Sequence, residues 1–173
     1  MPSVVSRQEL SLVPEYRIVS LQDRRLGGLD GSAAAIAEAV EAVAAVAPSG
    51  LYLIVNQDQL PVRLELEIWD GPPATGPDPA AGWVRAGPFV LPFPSGELAL
   101  GDLGGRAVSG PWLRDRPGDY TVEVWHRGRA EAAARQVELF AETAALTIAQ
   151  ARAYIHREGA GIEQYRLRLW PSG

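Results

Sequence analysis

The sequence contains no cysteine and no lysine, so all 16 side chains in its Lys and Arg count are arginine. Without cysteine the chain can form no disulfide framework and can use no thiolate chemistry. Without lysine it can form neither a Schiff base nor the lysine contact of a phosphate-binding P-loop. These two absences exclude several common classes of enzyme and cofactor site.

A basic surface stripe and a long apolar run are also missing. The net charge of the 173-residue chain is −5, whereas a protein that binds nucleic-acid phosphates is expected to carry clustered positive charge. The most apolar run, residues 33–47, is too short to span a bilayer and contains Glu38 and Glu41. Residues 1–11 show no apolar signal segment. We therefore expect a cytoplasmic protein with no nucleic-acid and no membrane partner.

Three short stretches share one pattern: Leu66-Glu67-Ile68-Trp69, Val122-Glu123-Val124-Trp125 and Leu167-Arg168-Leu169-Trp170. Each reads apolar, charged, apolar, tryptophan. In a strand, successive side chains point to opposite faces, so each charge shares a face with its tryptophan. The first two stretches carry glutamate and the third carries arginine, which predicts stabilising pairs if they are neighbouring strands.

The strongest strand pattern lies within residues 116–129. Pro117 and Gly118 favour a turn, and the residues that follow alternate in character. We expect Tyr120 and Val122 to point into the core. A tyrosine near the start of a strand forms a hydrogen bond to upstream backbone in immunoglobulin-like sandwiches, and the same role is predicted for Tyr120.

Further strands are predicted at residues 15–21, 51–55, 62–69, 83–90, 97–100 and 162–170. An alanine-rich helix is predicted at residues 33–47 and a long second helix at residues 131–158. Short strands joined by turns favour antiparallel pairing. The predicted fold class is therefore mainly β with α (α+β). We expect a single antiparallel β-sandwich domain over residues 1–173, with one short Ala-rich helix and one long inserted helix.

Candidate catalytic groups are few. His126 ends a predicted strand and His156 ends a predicted helix, and we expect surface positions for both. The glycine-rich residues 101–105 lack the spacing of a dinucleotide-binding loop, and no Gly-x-Ser-x-Gly motif occurs. We expect no catalytic residue, no metal and no cofactor.

Paired glutamates nevertheless leave an alternative function open. Glu65, Glu67 and Glu123 are predicted on one sheet face, and paired carboxylates are the groups that glycosidases use. Arg166 and Arg168 on the third stretch would neutralise them, and we favour that structural pairing. A small hydrolase or a carbohydrate-binding β-sandwich remains the alternative.

The tryptophans give the main candidate for a binding site. Clusters of exposed tryptophan are typical of protein-binding surfaces. The predicted partner-binding residues are Trp69, Trp125, Trp170, Glu67 and Glu123. A competing interpretation places the second helix, residues 131–158, across this face so that it buries the tryptophans. We favour that coverage.

The order of these elements resembles the competence-associated ComJ-type nuclease inhibitors and related bacterial β-sandwich proteins. The matching features are an early strand at 16–21, a helix running into a strand at 39–55, a strand from Pro117-Gly118-Asp119-Tyr120 to Trp125, and the terminal Glu163-Gln164-Tyr165-Arg166-Leu167. Against this pattern the helix at 131–158 looks like an insertion.

Members of that family inhibit a DNA-entry nuclease by binding it. The resemblance therefore implies a non-enzymatic protein-binding module, a nuclease inhibitor or immunity-like protein, with a nuclease as its partner. No inhibitory residue of the family can be placed on this chain.

Overall fold

A computed structural model describes residues 1–26, 29–103, 107–110, 112–113 and 115–173. The predicted glycine-rich loop at 101–105 falls partly on residues 104 and 105, which lie outside this range. The described strands are β1 (Val4–Leu12), β2 (Ile18–Asp23), β3 (Ala44–Ala47), β4 (Gly50–Ile54), β5 (Val62–Trp69), β6 (Val84–Phe93), β7 (Leu98–Asp102), β8 (Ala107–Gly110), β9 (Gly118–Arg127) and β10 (Gln164–Pro171). The described helices are α1 (Ser32–Ala42), α2 (Arg129–Glu142) and α3 (Ile148–Glu158).

The strands form two five-stranded sheets, which gives the mixed α+β class that the sequence predicts. The first sheet has the order β1-β5-β10-β9-β6 and the second has the order β3-β4-β2-β7-β8. Neighbouring strands are antiparallel except β5 and β10, which run parallel. The expectation of purely antiparallel pairing is wrong at this pair. A parallel neighbour needs a crossover connection, and here most of the chain lies between the two strands.

One large apolar cluster takes its side chains from both sheets. The first sheet contributes alternate residues of its central strands, such as Leu66, Val122 and Leu167. The second sheet contributes Leu21 and Leu53. The opposite residues of β5, β9 and β10 therefore lie on the outer face of the first sheet, as the two-residue period requires.

Both expectations for the strand that follows residue 117 are confirmed. Tyr120 and Val122 are buried in the main cluster. The Tyr120 hydroxyl donates a hydrogen bond of 2.7 Å to the backbone carbonyl of Arg116, four residues upstream. This bond ties the turn to the strand, as expected for a tyrosine corner.

The predicted alanine-rich helix is too long by several residues. Helix α1 ends at Ala42, because Val43 takes a positive φ of 72° that is incompatible with a helix. Residues 44–47 then form β3, where they pair with β4. The buried positions of α1 are Ala35 and Ala39. Because their side chains are small, α1 can approach the second sheet closely.

The predicted single helix at 131–158 is two helices, α2 and α3. The Thr143 hydroxyl donates a 2.7 Å hydrogen bond to the Leu139 carbonyl at the end of α2. Thr147 then starts α3 with a reciprocal capping box to Gln150. The capping box gives the second helix its own start, so the chain turns between them.

The helix pair packs on the segment between β4 and β5. Leu60 of that segment lies in a small apolar cluster with Ala132, Leu139 and Ile155. Phe140 and Ile148 of the helix pair are exposed, whereas Ile155 is buried in this separate cluster. No described helix is long and apolar enough to cross a membrane.

The glycine before α2 is required by geometry. Gly128 has a φ of 74°, and a Cβ there would lie 1.9 Å from the carbonyl oxygen of Ile162. Any larger residue would push β9 away from the segment that leads into β10.

Truncation of the core strand tests the assignment of faces. We expect Val122→Ala to lower the free energy of unfolding by about 1–3 kcal/mol, because it removes buried apolar surface and leaves a partial cavity. Urea denaturation measures the change. The matched control is Val84→Ala on the edge strand β6, where the side chain is 55% exposed and the loss should be small. An unchanged midpoint for Val122→Ala would mean that the faces of β9 are reversed.

Candidate functional site

The outer face of the first sheet carries a row of alternating charges that crosses all five strands. In the order of the strands across the sheet, its members are Arg7 on β1, Glu67 on β5, Arg168 on β10, Glu123 on β9 and Arg85 on β6. Because strand register places Arg7 and Arg168 on either side of Glu67, each charge meets an opposite one.

The distances show that the row is continuous. Glu67 accepts from Arg7 Nη2 at 2.6 Å and from Arg168 Nε at 3.2 Å. Arg168 Nη1 lies 3.8 Å from Glu123, which also pairs with Arg85 Nη2 at 2.8 Å. Glu67 is 1% exposed and Arg168 7%, so the centre of the row is shielded from water and the ends are open.

A second group of ion pairs lies beside this row. Glu65 pairs with Arg7 Nε at 3.2 Å and with Arg166 Nη2 at 2.8 Å. Each of the three glutamates predicted on this face is therefore held by two arginines. The favoured prediction of structural pairing is confirmed. The hydrolase alternative needs two free carboxylates, and these three are engaged.

Tryptophan rings stack among the guanidinium groups. The Cζ atoms of Arg127 and Arg166 lie 4.7 and 5.1 Å from the ring centroid of Trp83. Arg168 lies 5.6 Å from the ring of Trp69, whose Nε1 donates to Glu67 at 3.0 Å. In such cation–π contacts the guanidinium charge is attracted to the quadrupole of the aromatic ring, which favours one orientation of the ring.

Two further tryptophans, Trp125 and Trp170, belong to the same face. Trp125 pairs in register with Arg166 and has the Arg85 Cζ atom 6.0 Å from its ring centroid. Trp170 follows Leu169 on β10 and pairs in register with Thr121. We name the set of Trp69, Trp83, Trp125, Trp170 and the arginines between them the Trp–Arg face. Trp83 was not among the predicted binding residues, because it precedes β6 and lies outside the repeated strand pattern.

A loop, and not a helix, covers part of this face. A Cβ on Gly76 would lie 2.6 Å from the Trp125 ring, so the loop backbone rests directly on that ring. The loop is tied down by Arg168 Nη1, which donates to the Thr75 carbonyl at 2.7 Å, and by Arg127 Nη1, which donates to Ala81 at 3.2 Å. The predicted coverage by residues 131–158 is wrong, because α2 and α3 pack on Leu60 instead.

The loop therefore shields the tryptophans of the Trp–Arg face from solvent only in part. All four are partly exposed. Among the described residues, Trp125 Nε1 is buried without a hydrogen-bond partner, which costs stability in the free protein.

A second polar cluster lies where the first sheet meets α2. The buried Glu163 carboxylate accepts from the backbone N–H of Asn56 at 2.8 Å and from the Tyr165 hydroxyl. Arg129, the first residue of α2, donates to the Ile54 carbonyl at 2.6 Å and to the Tyr165 hydroxyl. The cluster joins both sheets to the helix pair.

Burial shifts the pKa values in this cluster. Burial raises the pKa of Glu163 above its usual range, against the opposing effects of its hydrogen bonds and of Arg129. Burial, and then the charge of Glu163, raises the pKa of Tyr165. Sequence reasoning missed this cluster. The available signal was Glu163, just before β10 and two residues before the core-facing Tyr165, a position where an acidic residue needs a buried partner.

The histidines show no sign of a metal site. Burial and then the nearby Arg129 lower the pKa of His126, which favours its neutral form. Within the described residues, no group of three or more His, Cys, Asp or Glu side chains is arranged to hold a metal ion.

Comparison with known proteins finds similarity at the level of fold. No protein-family model and no curated protein sequence matches the chain. The chain is similar to the crystal structure of ComJ from Bacillus subtilis, an inhibitor of the DNA-degrading activity of NucA, with a TM-score of 0.53, 12% identity and 98% of each chain covered. It also matches a structure named crocagin biosynthetic gene J, with a TM-score of 0.48, 16% identity and coverage of 100% of this chain and 99% of the other. The resemblance to ComJ is thereby confirmed for the fold.

Neutralising one charge at the centre of the row should destabilise the folded protein. We expect Glu67→Gln to lower the free energy of unfolding by about 3 kcal/mol, because it leaves Arg168 buried with weakened compensation. The matched control is Glu9→Gln, which breaks a largely exposed pair with Arg63 and should cost at most about 1 kcal/mol. Equal small losses in urea denaturation would show that the row contributes little to stability.

The Glu163 cluster should make stability depend on pH. Its pKa is higher in the folded than in the unfolded protein, where it is about 4.3. The folded state therefore binds the proton more tightly, and its stability falls as pH rises from about 4.3 through the folded pKa. We expect Glu163→Gln to remove this decline, whereas the exposed Glu131→Gln should retain it. Unfolding free energies measured across this range for both variants check the sign.

Proposed function

We propose that this protein is a non-enzymatic protein-binding module that inhibits a nuclease, and that the Trp–Arg face contacts the partner. In this proposal the two sheets face each other as a β-sandwich that holds the face rigid. The main support is the composition of the face, in which partly exposed tryptophans alternate with arginines. Tryptophan and arginine are the residues most enriched among those that dominate binding energy at protein interfaces.

The ion pairs support binding by holding the arginines in place. A flexible arginine loses rotamer freedom when it binds, and that loss weakens affinity. Here Glu67 and Glu123 are buried and fix the guanidinium groups before any partner arrives. These two glutamates therefore act by positioning, while Trp69, Trp125 and Trp170 offer the contact surface.

The accessible charge of this face indicates the chemistry of the contact. The side chains of Arg7 and Arg85, at the two ends of the row, are 55% and 45% exposed. Each still has donor groups to offer, since a guanidinium carries five N–H bonds. The face fits a partner surface that presents carboxylates or backbone carbonyls beside an apolar residue.

The nuclease class comes from the comparison with known structures. ComJ, whose fold this chain shares across 98% of both chains, inhibits the DNA-degrading activity of NucA. We transfer to this chain the general role, inhibition of a DNA-degrading enzyme by binding, and no individual residue.

Inhibition of DNA degradation tests the proposal. Tagged protein is used to retain partners from extracts of its native host, and the retained fraction is assayed for degradation of plasmid DNA with and without added protein. We expect a nuclease to be retained and inhibited. Trp69→Ala combined with Trp170→Ala should weaken inhibition by about 30-fold or more, the effect of losing residues that dominate an interface.

The control variant is Val40→Asn, which removes an exposed apolar side chain on α1, outside the Trp–Arg face. It should inhibit as well as the parent protein. If no DNA-degrading activity is retained or inhibited, the inhibitor role is wrong. If the double tryptophan variant inhibits normally, the role stands and the Trp–Arg face is not the binding site.

A further inference from the structure

Tyr16 projects from the surface on a strained backbone. Its side chain is 79% exposed, and both Tyr16 and Arg17 have positive φ, at 54° and 65°. Such conformations cost energy for residues other than glycine and persist only where the surroundings impose them. Here Arg17 Nε donates to the Val55 carbonyl at 2.9 Å, and the Val55 N–H donates to the Arg17 carbonyl at 2.9 Å. The structure thus holds an aromatic ring out in solvent.

An apolar groove lies next to this ring. It is formed between α2 and α3, has a volume of about 470 Å³, and includes Phe140, Ile148 and Ile155 in its lining. Val13 and Gln59 line both this groove and the recess around Tyr16, so the two are neighbours. A cavity of about 150 Å³ accommodates a benzene ring. The groove therefore has room for a tyrosine side chain.

The rim of the groove leaves large apolar groups in water. Ile148 is 90% exposed and Phe140 is 46% exposed. Val137, one helical turn before Phe140, is also exposed. Clustered exposed apolar side chains of this kind are typical of an interaction site.

Charge divides this surface into two complementary halves. Glu15 and Asp58 line the recess around Tyr16, whereas Arg152 lines the groove. Within the described part of the chain, none of these three side chains has an ion-pair partner. This contrasts with the Trp–Arg face, where each glutamate has two.

We propose that this surface binds a second copy of the same chain, with Tyr16 of each copy in the α2–α3 groove of the other. In a two-fold symmetric dimer the same patch is used by both subunits, so a projecting ring and a matching groove on one patch complement themselves. The same symmetry brings Glu15 and Asp58 of one copy to Arg152 of the other. A foreign partner would have to match both halves, whereas a second copy supplies both.

This inference is independent of the proposed inhibitor role. The surface shares no residue with the Trp–Arg face, so a dimer formed in this way leaves that face available to another protein. Dimerisation can therefore fail while inhibition holds, and the reverse is equally possible.

Sedimentation velocity over a range of protein concentrations tests for the dimer. We expect a reversible monomer–dimer equilibrium. Tyr16→Asn, which keeps the left-handed conformation accessible, and Ile148→Ser should each raise the dissociation constant by about 30-fold. The matched control is Val40→Asn, a change at an exposed apolar residue on α1 that should leave the equilibrium unchanged.

Charge reversal tests the pairing itself. Asp58→Arg alone and Arg152→Asp alone should each weaken self-association, because like charges then meet twice in the symmetric dimer. An equimolar mixture of the two variants should associate more tightly than either variant alone, since both contacts between positions 58 and 152 in the mixed dimer again join opposite charges. Recovery in the mixture also shows that neither variant is misfolded.

Two results would overturn the inference. The first is a parent protein that stays monomeric at every concentration. This result would overturn the inference even if Ile148→Ser abolished binding of a different protein, because the groove would then serve that protein and not a second copy. The second is a mixture of the charge variants that associates no better than either variant alone.

Discussion

The guanidinium group of Arg168 is the contact on which the outer face of the first sheet depends. It lies on β10, the central strand, and reaches Glu67 on one side and Glu123 on the other. The same group donates to Thr75 in the covering loop and lies against the ring of Trp69. A one-residue slip of β10 would turn Arg168 into the core and remove one of the two arginines that each of the buried Glu67 and Glu123 contacts. Strand register, loop position and ring orientation are therefore set together.

The two-residue alternation explains why so much of this face could be predicted from sequence. The period alone places Glu67 and Trp69 opposite the core, and the position of Tyr120 just after the Pro117-Gly118 turn identifies it as a corner residue. The loop over Trp125 could not be predicted, because residues 71–82 are rich in proline and glycine and have no periodicity that shows where they lie. Its position depends on side chains distant in sequence, above all Arg168.

The predicted bounds of the two helices were wrong for two different local reasons. The turn between α2 and α3 has a readable signal in Thr147 and Gln150, which form the capping box, but the apolar stripe continues through the turn and masks it. The early end of α1 has no such signal, since alanine is the best helix former and residues 44–47 become a strand only by pairing with β4. Strand β1 was missed because it is an edge strand whose side chains are mostly exposed or half-buried.

The continuous charge row also constrains how this sequence can diverge. Because Glu67 touches Arg7 and Arg168, and Glu123 touches Arg168 and Arg85, no internal position of the row can change its charge without affecting two strands. A substitution that changes the charge at one of these positions therefore requires compensating substitutions on the neighbouring strands, across β1, β5, β10 and β9. Homologous chains should therefore show coupled substitutions at these positions, and a lysine would be a poor replacement for Arg168 because a single ammonium cannot bridge two carboxylates and a carbonyl in one plane.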